Sequence, residues 1–155
     1  MTGETGSIKR ICDNSCLPLP LLLLADPSVE MIRKYIDNSI GIVCELDGVI
    51  IGALLMQAAG PRGMEIMNIA VDEAHQKKGI GKRLLQEAVK TAKLMGMERL
   101  EIGTGNSSVG QLLLYQKCGF RIVGVEPDFF RKNYPEKIFE NGVECRDMIR
   151  LEMLL

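Results

Sequence analysis

Apolar residues change their spacing repeatedly along this chain, and each spacing predicts an element. Ser7 to Cys12 reads as a short first strand. Pro18 and Pro20 break the chain, and LLLLADPSVEMIRKYIDNS (21–39) then reads as one or two helices. Within it, Asp26-Pro27 offers a cap and a first-turn proline, and Met31, Ile32, Tyr35 and Ile36 share one helical face. IGIVCELDGVIIGALLMQ (40–57) is two β-rich runs divided by Asp47-Gly48, which predicts a hairpin. Gly63 to Asp72 follows as another strand. From about Gly79 to Met95, Ile80, Leu84, Leu85, Ala88, Val89, Ala92 and Met95 form a continuous apolar stripe, the mark of a long amphipathic helix.

Glu98 to Gly105 predicts the next strand, and Asn106 or Ser107 the cap of a helix carrying VGQLLLYQKC, which Gly119 ends. FRIVGVE is a strand, and Glu144 to Met153 alternates well enough to be the last one. Strands come first, then a strand–helix–strand–helix–strand series, then a final strand. This order predicts an α/β fold: a mixed sheet with helices on both faces. No repeat, low-complexity segment or linker interrupts it, so residues 1–155 are read as a single domain.

Composition narrows the function classes. Nineteen basic and twenty acidic side chains leave a net charge of -1, so no global field draws the chain to nucleic acid or an anionic membrane. Any anion site is therefore local. Five cysteines, an odd number without a C-x-x-C pair, and one histidine argue against a disulfide framework and a structural zinc. They fit a reducing cytoplasm. The run CLPLPLLLLA (16–25) is interrupted by prolines, preceded by Asp13 and Asn14, and too short to span a bilayer. It is read as a buried helix with its lead-in.

The stretch HQKKGIGKRLLQEAV (75–89) carries the local anion chemistry. A helix N-terminus offers unpaired N–H groups and partial positive charge, which suit a phosphate. Gly79 and Gly81 let that ligand approach the backbone, Lys77, Lys78, Lys82 and Arg83 add charge, and Gln76 adds a donor. A Walker loop fails because Arg83 follows Lys82, and the dinucleotide fingerprint fails because Leu84 stands where its third glycine belongs. What is left is Q-x-x-G-x-G after a strand ending NIAVD. With EIGTGNSSVGQLLLYQKCGF downstream, the chain resembles the GNAT superfamily of acetyl-CoA-dependent N-acetyltransferases over roughly Gly63 to Val125.

That resemblance implies a mostly antiparallel sheet whose central parallel pair splays to admit coenzyme A. It implies acetyl-CoA as cosubstrate, held by Gln76, Lys77, Lys78, Gly79, Ile80, Gly81 and Lys82 at the pyrophosphate. It also implies that main-chain groups of Ile69, Ala70 and Val71 hold the pantetheine arm, with Asn68 at the bend. Asn106 matches a family residue that contacts the arm, and a helix cap is the competing reading. Tyr115, four residues before Gly119-Phe120, matches the family tyrosine that meets the coenzyme sulfur; a core aromatic is the alternative. Glu65 matches a glutamate that some members use as a base through water, with Glu101 and Asp147 as rivals.

The implied reaction is direct attack of a primary amine on the thioester in a ternary complex, without a metal. The acceptor is a small-molecule amine or a protein amino group; no nucleic-acid or membrane partner is implied, and a homodimer is left open. Of the three tyrosines and four phenylalanines, all but Tyr35 lie between Tyr115 and Phe139. In the family this region shapes the acceptor pocket or a dimer contact; satellite-core packing is the plainer reading of Phe129, Phe130, Tyr134 and Phe139. The rival functions are a non-catalytic coenzyme A sensor or scaffold, and a nucleotide-binding domain built on Glu101 to Ser108. The second lacks a third fingerprint glycine, since Ser108 takes that place.

Overall fold

A computed structural model describes residues 6–155. Seven strands form the main sheet: β1 (Ser7–Ile11), β2 (Ile40–Leu46), β3 (Val49–Ala58), β4 (Gly63–Val71), β5 (Arg99–Gly105), β6 (Arg121–Glu126) and β9 (Met148–Leu154). Their order is β1-β2-β3-β4-β5-β9-β6, and β4–β5 is the only parallel neighbour pair within it. Two short strands, β7 (Ile138–Glu140) and β8 (Val143–Cys145), form a separate antiparallel pair.

Helices cover both faces, as the element order predicts. On one side lie α3 (Ile80–Leu94) and α4 (Val109–Lys117), with Leu84, Leu85, Ala88 and Tyr115 packed on Ile42, Leu54, Ile66 and Ile102. On the other lie α1 (Leu19–Leu22) and α2 (Val29–Tyr35), whose Leu22, Ile32 and Tyr35 pack on Val43, Ala53, Leu55 and Ala70. A fifth short helix, α5 (Phe129–Asn133), precedes β7. Among the described residues no helix is long and apolar enough to cross a membrane.

The hairpin between β2 and β3 follows from its residues. Asp47 and Gly48 both take positive φ, 50° and 80°, the pair that a two-residue turn matching strand twist requires. Four expectations need correction. The cap of α2 is Ser28, whose Oγ accepts from Met31 N–H at 3.2 Å, not Asp26-Pro27; Asp26 is held elsewhere. Pro20 does not break the chain but sits in the first turn of α1, where its missing N–H costs nothing.

The run from Glu144 to Met153 is not one strand. It divides at Arg146–Asp147 into β8 and β9. Asn106 explains the break: its Oδ1 accepts from Arg146 N–H at 2.8 Å and Asp147 N–H at 2.9 Å, and its Nδ2 donates to Glu144 O at 3.1 Å. Those groups are lost to a continuous ladder, so the chain turns. Asn106 is therefore not a helix cap; Ser108 holds that position for α4, with no side-chain cap bond.

Candidate active site

The parallel pair opens part-way along its length. β4 and β5 pair from Gly63↔Arg99 to Ile66↔Ile102 and no further. At that point β4 carries an extra residue, since Leu55 faces Asn68 while Met56 faces Ile66. The bulge at Met67 sends two successive side chains to the same face. Ile66 points into the α3 core, Met67 and Asn68 toward α1 and α2, and Ile69 back again. Without this shift Asn68 would put an amide among the leucines of the larger core.

Beyond the bulge, Asp72 N–H donates to Ile51 O at 2.8 Å. Alternation then commits Ala70 to β3 and turns the backbone groups of Ile69 and Val71 toward the opening. The gap is a cavity of about 310 Å³ whose walls include Ile69, Val71, Gly103, Gly105 and Tyr115. The expected parting of the NIAV strand from its neighbour is thus present, with Asn68 at the bend.

The loop into α3 lies at one end. Gly79 is the N-cap in left-handed geometry at φ 84°, with no side chain capping the helix, and Lys77 is also left-handed at φ 62°. A Cβ on Gly79 would meet nothing within 4 Å, and one on Gly81 only Leu114 at 3.4 Å. The entry is open space over bare amides, beside exposed Lys77, Lys78 and Lys82; Ile80 is buried beneath it. Two expected contributors also have protein partners. Gln76 Nε2 donates to Val71 O at 2.9 Å, bracing the loop against β4, and Arg83 Nη2 donates to Gly6 O at 3.0 Å.

Tyr115 is the one buried residue of α4. Its ring packs edge-on against Phe120, centroids 6.2 Å apart. It is 3% exposed yet lines the cavity, and its hydroxyl makes no hydrogen bond among the described residues. Burial, with a smaller push from Cys118, raises its pKa above the ordinary tyrosine value. The hydroxyl is a neutral donor that is not sealed in the core, with no partner among the described residues.

The carboxylates stand apart from the cavity lining. Glu65 pairs with Arg150 at 2.7 Å, Glu101 with Arg99 at 2.6 Å, and Asp147 accepts from Asp128 N–H at 2.8 Å. The desolvated setting expected for Glu65 is instead an ion pair. Asn106 lies outside the lining as well. Among the described residues no group of histidine, cysteine or acidic side chains is arranged to hold a metal ion.

With this geometry in view, comparison with known proteins is decisive. The model of the Acetyltransferase (GNAT) family matches residues 15–120. The chain belongs to the GNAT acetyltransferase family. An uncharacterized N-acetyltransferase of Bacillus subtilis, YvbK, is 49% identical over 131 residues, covering 84% of each chain. Among solved structures, an IAA acetyltransferase from Bacillus cereus superposes with a TM-score of 0.92 at 54% identity, covering 96% of this chain and 99% of that one. A GNAT family acetyltransferase from Elizabethkingia anophelis, solved with acetyl-CoA bound, gives 0.92 at 46% identity, covering 96% and 97%. The mostly antiparallel sheet with one parallel pair is the fold of these GNAT neighbours, and the chain is an acetyltransferase.

Sequence reasoning placed Asn68 at the bend and Tyr134 in the acceptor region but missed the Asp26 that joins them. Asp26, 7% exposed, accepts from Tyr35 Oη at 2.9 Å and Tyr134 Oη at 2.8 Å, and Tyr35 Oη accepts from Asn68 Nδ2 at 3.1 Å. Asp26, Asn68 and Tyr134 all line the cavity. Phe130 and Tyr134 pack 5.7 Å apart and line it together, while Phe139 is 64% exposed. The buried Asp26 reads as a cap in sequence because Asp-Pro is a common helix start. A buried aspartate needs partners, and both tyrosines come from beyond α1.

Proposed function

We propose that this acetyltransferase joins acetyl-CoA to a primary amine by direct attack within a ternary complex, with the whole chain acting as one catalytic unit. The observation that carries the reading is the cavity itself. The opening between β4 and β5 continues into a chamber that contains a partnerless tyrosine hydroxyl, so thioester and acceptor have one place to meet.

In this reading the diphosphate rests on the amides at the start of α3, beside Lys77, Lys78 and Lys82, and Gly79 and Gly81 leave room for it. The pantetheine arm extends β4 by pairing with Ile69 and Val71 on the side that β5 vacates. The acceptor loses one proton before attack, and Glu65 is our choice to take it through water. The amine nitrogen then attacks the carbonyl carbon, the C–S bond breaks, and the sulfur leaves carrying negative charge. Tyr115 gives its proton to that sulfur, and the second proton shed by nitrogen as the amide forms restores the tyrosine. Products are the amide, free coenzyme A thiol and one released proton.

Initial rates over both substrates test this. Intersecting double-reciprocal lines and no acetylated protein fit the ternary complex; parallel lines with an acetyl-enzyme overturn it. Glu65→Gln distinguishes the base. A lowered kcat with a displaced acidic limb of the pH profile supports it, and an unchanged profile removes Glu65 from the mechanism.

A further inference from the structure

We propose that the acceptor is a slender oligocationic amine without a carboxylate, anchored by Asp26 and Glu140. This rests on reading the cavity as the acceptor site. The charge of the cavity wall carries the inference. Asp26 and Glu140 are its only ionisable carboxylates, and none of its lining residues is lysine, arginine or histidine. The basic side chains at the α3 entry lie outside the lining, so nothing within the chamber neutralises the pair.

Each carboxylate is held in place. Asp26 Oδ1 accepts from Tyr134 Oη and from Ser28 N–H at 3.3 Å, and Oδ2 accepts from Tyr35 Oη. Two carboxylate oxygens have about four acceptor sites between them, and these three bonds leave one on Oδ2. Glu140 Oε1 accepts from Ser108 Oγ at 2.6 Å and Ser107 Oγ at 3.3 Å. All these donors are neutral, so both negative charges are solvated by dipoles and, among the described residues, matched by no cation.

An independent observation points the same way. Asn68 lines this cavity and is 3% exposed. Both of its amide hydrogens are used, toward Leu22 O and Tyr35 Oη, each at 3.1 Å. Its Oδ1 is the one buried side-chain polar atom among the described residues without a partner. A buried acceptor left unmade is costly, and natural folds rarely tolerate one without a use. The same amide is linked to Asp26 through Tyr35, which donates to Asp26 Oδ2, and a primary ammonium brings three N–H donors.

Size and charge then define the ligand. At about 310 Å³ the chamber is at the small end of ligand sites and must also take the thioester. A linear alkyl chain fits that space more readily than a bulky acceptor. Two fixed carboxylates favour a second positive charge on the ligand and oppose a carboxylate.

Paired probes of equal chain length test this: cadaverine against lysine, and putrescine against 4-aminobutyrate, each with saturating acetyl-CoA. The diamine is expected to exceed its carboxylated partner in kcat/KM by about a hundredfold, from like-charge opposition at the wall. Asp26→Asn is expected to raise the diamine KM at least about tenfold, since one opposite charge is removed, while leaving acetyl-CoA affinity unchanged. If that variant fails to fold, Glu140→Gln takes its place with the same expected outcome. Equal or better rates with the amino acids, or a folded variant with unchanged diamine KM, overturn the proposal. If no amine turns over, the functional reading above fails separately. Calorimetric titration of cadaverine into the coenzyme A complex then decides the charge assignment, with no binding overturning it.

Discussion

The two ends of the cavity are built on opposite principles. At the α3 end the anion site we propose is contiguous in the chain: Gln76 to Lys82 supplies the open amides, the left-handed glycine and the exposed lysines. At the α1–α5 end the polar groups come from Asp26, Tyr35, Asn68 and Tyr134, gathered from four elements or their connections. The first end is positive and faces solvent. The second is negative and buried. A phosphate needs backbone donors and screened charge, which one loop can provide. A neutral thioester and an amine need dry walls with a few fixed acceptors, and only packing of distant segments excludes water that well.

The sharpest way to break this contrast is to reverse the charge of the first end. Gly81→Asp places a carboxylate over the open amides and is expected to raise the acetyl-CoA KM by more than about tenfold through lost anion attraction. The added Cβ meets only Leu114 at 3.4 Å, so the melting temperature stays near that of the unchanged protein. Unchanged kinetics would remove the cradle.

Tyr115→Phe probes the junction of the two ends. It deletes a hydroxyl without a partner among the described residues, so turnover is expected to fall about a hundredfold, the low end of acid–base contributions, with acetyl-CoA affinity held. Because burial raises its pKa, the kcat profile of the parent protein has no falling limb from Tyr115 near pH 10. A fully active phenylalanine variant clears Tyr115 of the role.

Asn106→Ala tests whether the turn before β9 is held from a distance. It removes three side-chain hydrogen bonds to the β8–β9 connection and is expected to cost about 2–3 kcal/mol in denaturant unfolding, at about 1 kcal/mol each. A loss below about 0.5 kcal/mol would show that the turn stands without it.

The gentlest test is alkaline pH. Burial is the largest cause raising the pKa of Tyr35, Tyr115 and Tyr134, which are all the tyrosines of the chain. Unfolded tyrosine ionises near about pH 10. Below that pH both states are protonated and stability is retained; above it the unfolded chain sheds protons that the fold retains, so stability falls as pH rises. Melting temperature is expected to be flat up to about pH 9.5 and to decline beyond it, with tyrosinate absorbance appearing only as the protein unfolds. Tyrosinate titrating in the folded protein near pH 10 would contradict the burial assigned to these rings.

Legibility in the sequence tracked the range of the interactions involved. The Asp47-Gly48 turn, the α3 stripe and the glycine loop each depend on neighbours within a few residues, and each is where the pattern puts it except Met95, which lies past the end of α3 and is exposed. The run from Glu144 to Met153 misled because alternation cannot register a side chain 40 residues away, and Asn106 reaches Arg146 from that separation. Asp26 misled for the same reason. Its local context is that of a cap, while Tyr134, 108 residues on, makes it part of a cavity wall. The Met67 bulge lies between these cases: the three-residue step from Ile66 to Ile69 is present in the sequence, but only pairing with Leu55 and Met56 gives it meaning.

By itself, then, the order of residues determined the elements, their covering of both sheet faces and the open amides at the head of α3, because hydrogen bonding and amphipathic periodicity act over short stretches of chain. Tertiary structure alone decided where β4 leaves β5, which carboxylates face the chamber and which are neutralised by arginine. Those outcomes depend on desolvation, and a group is desolvated only by what the rest of the fold places against it.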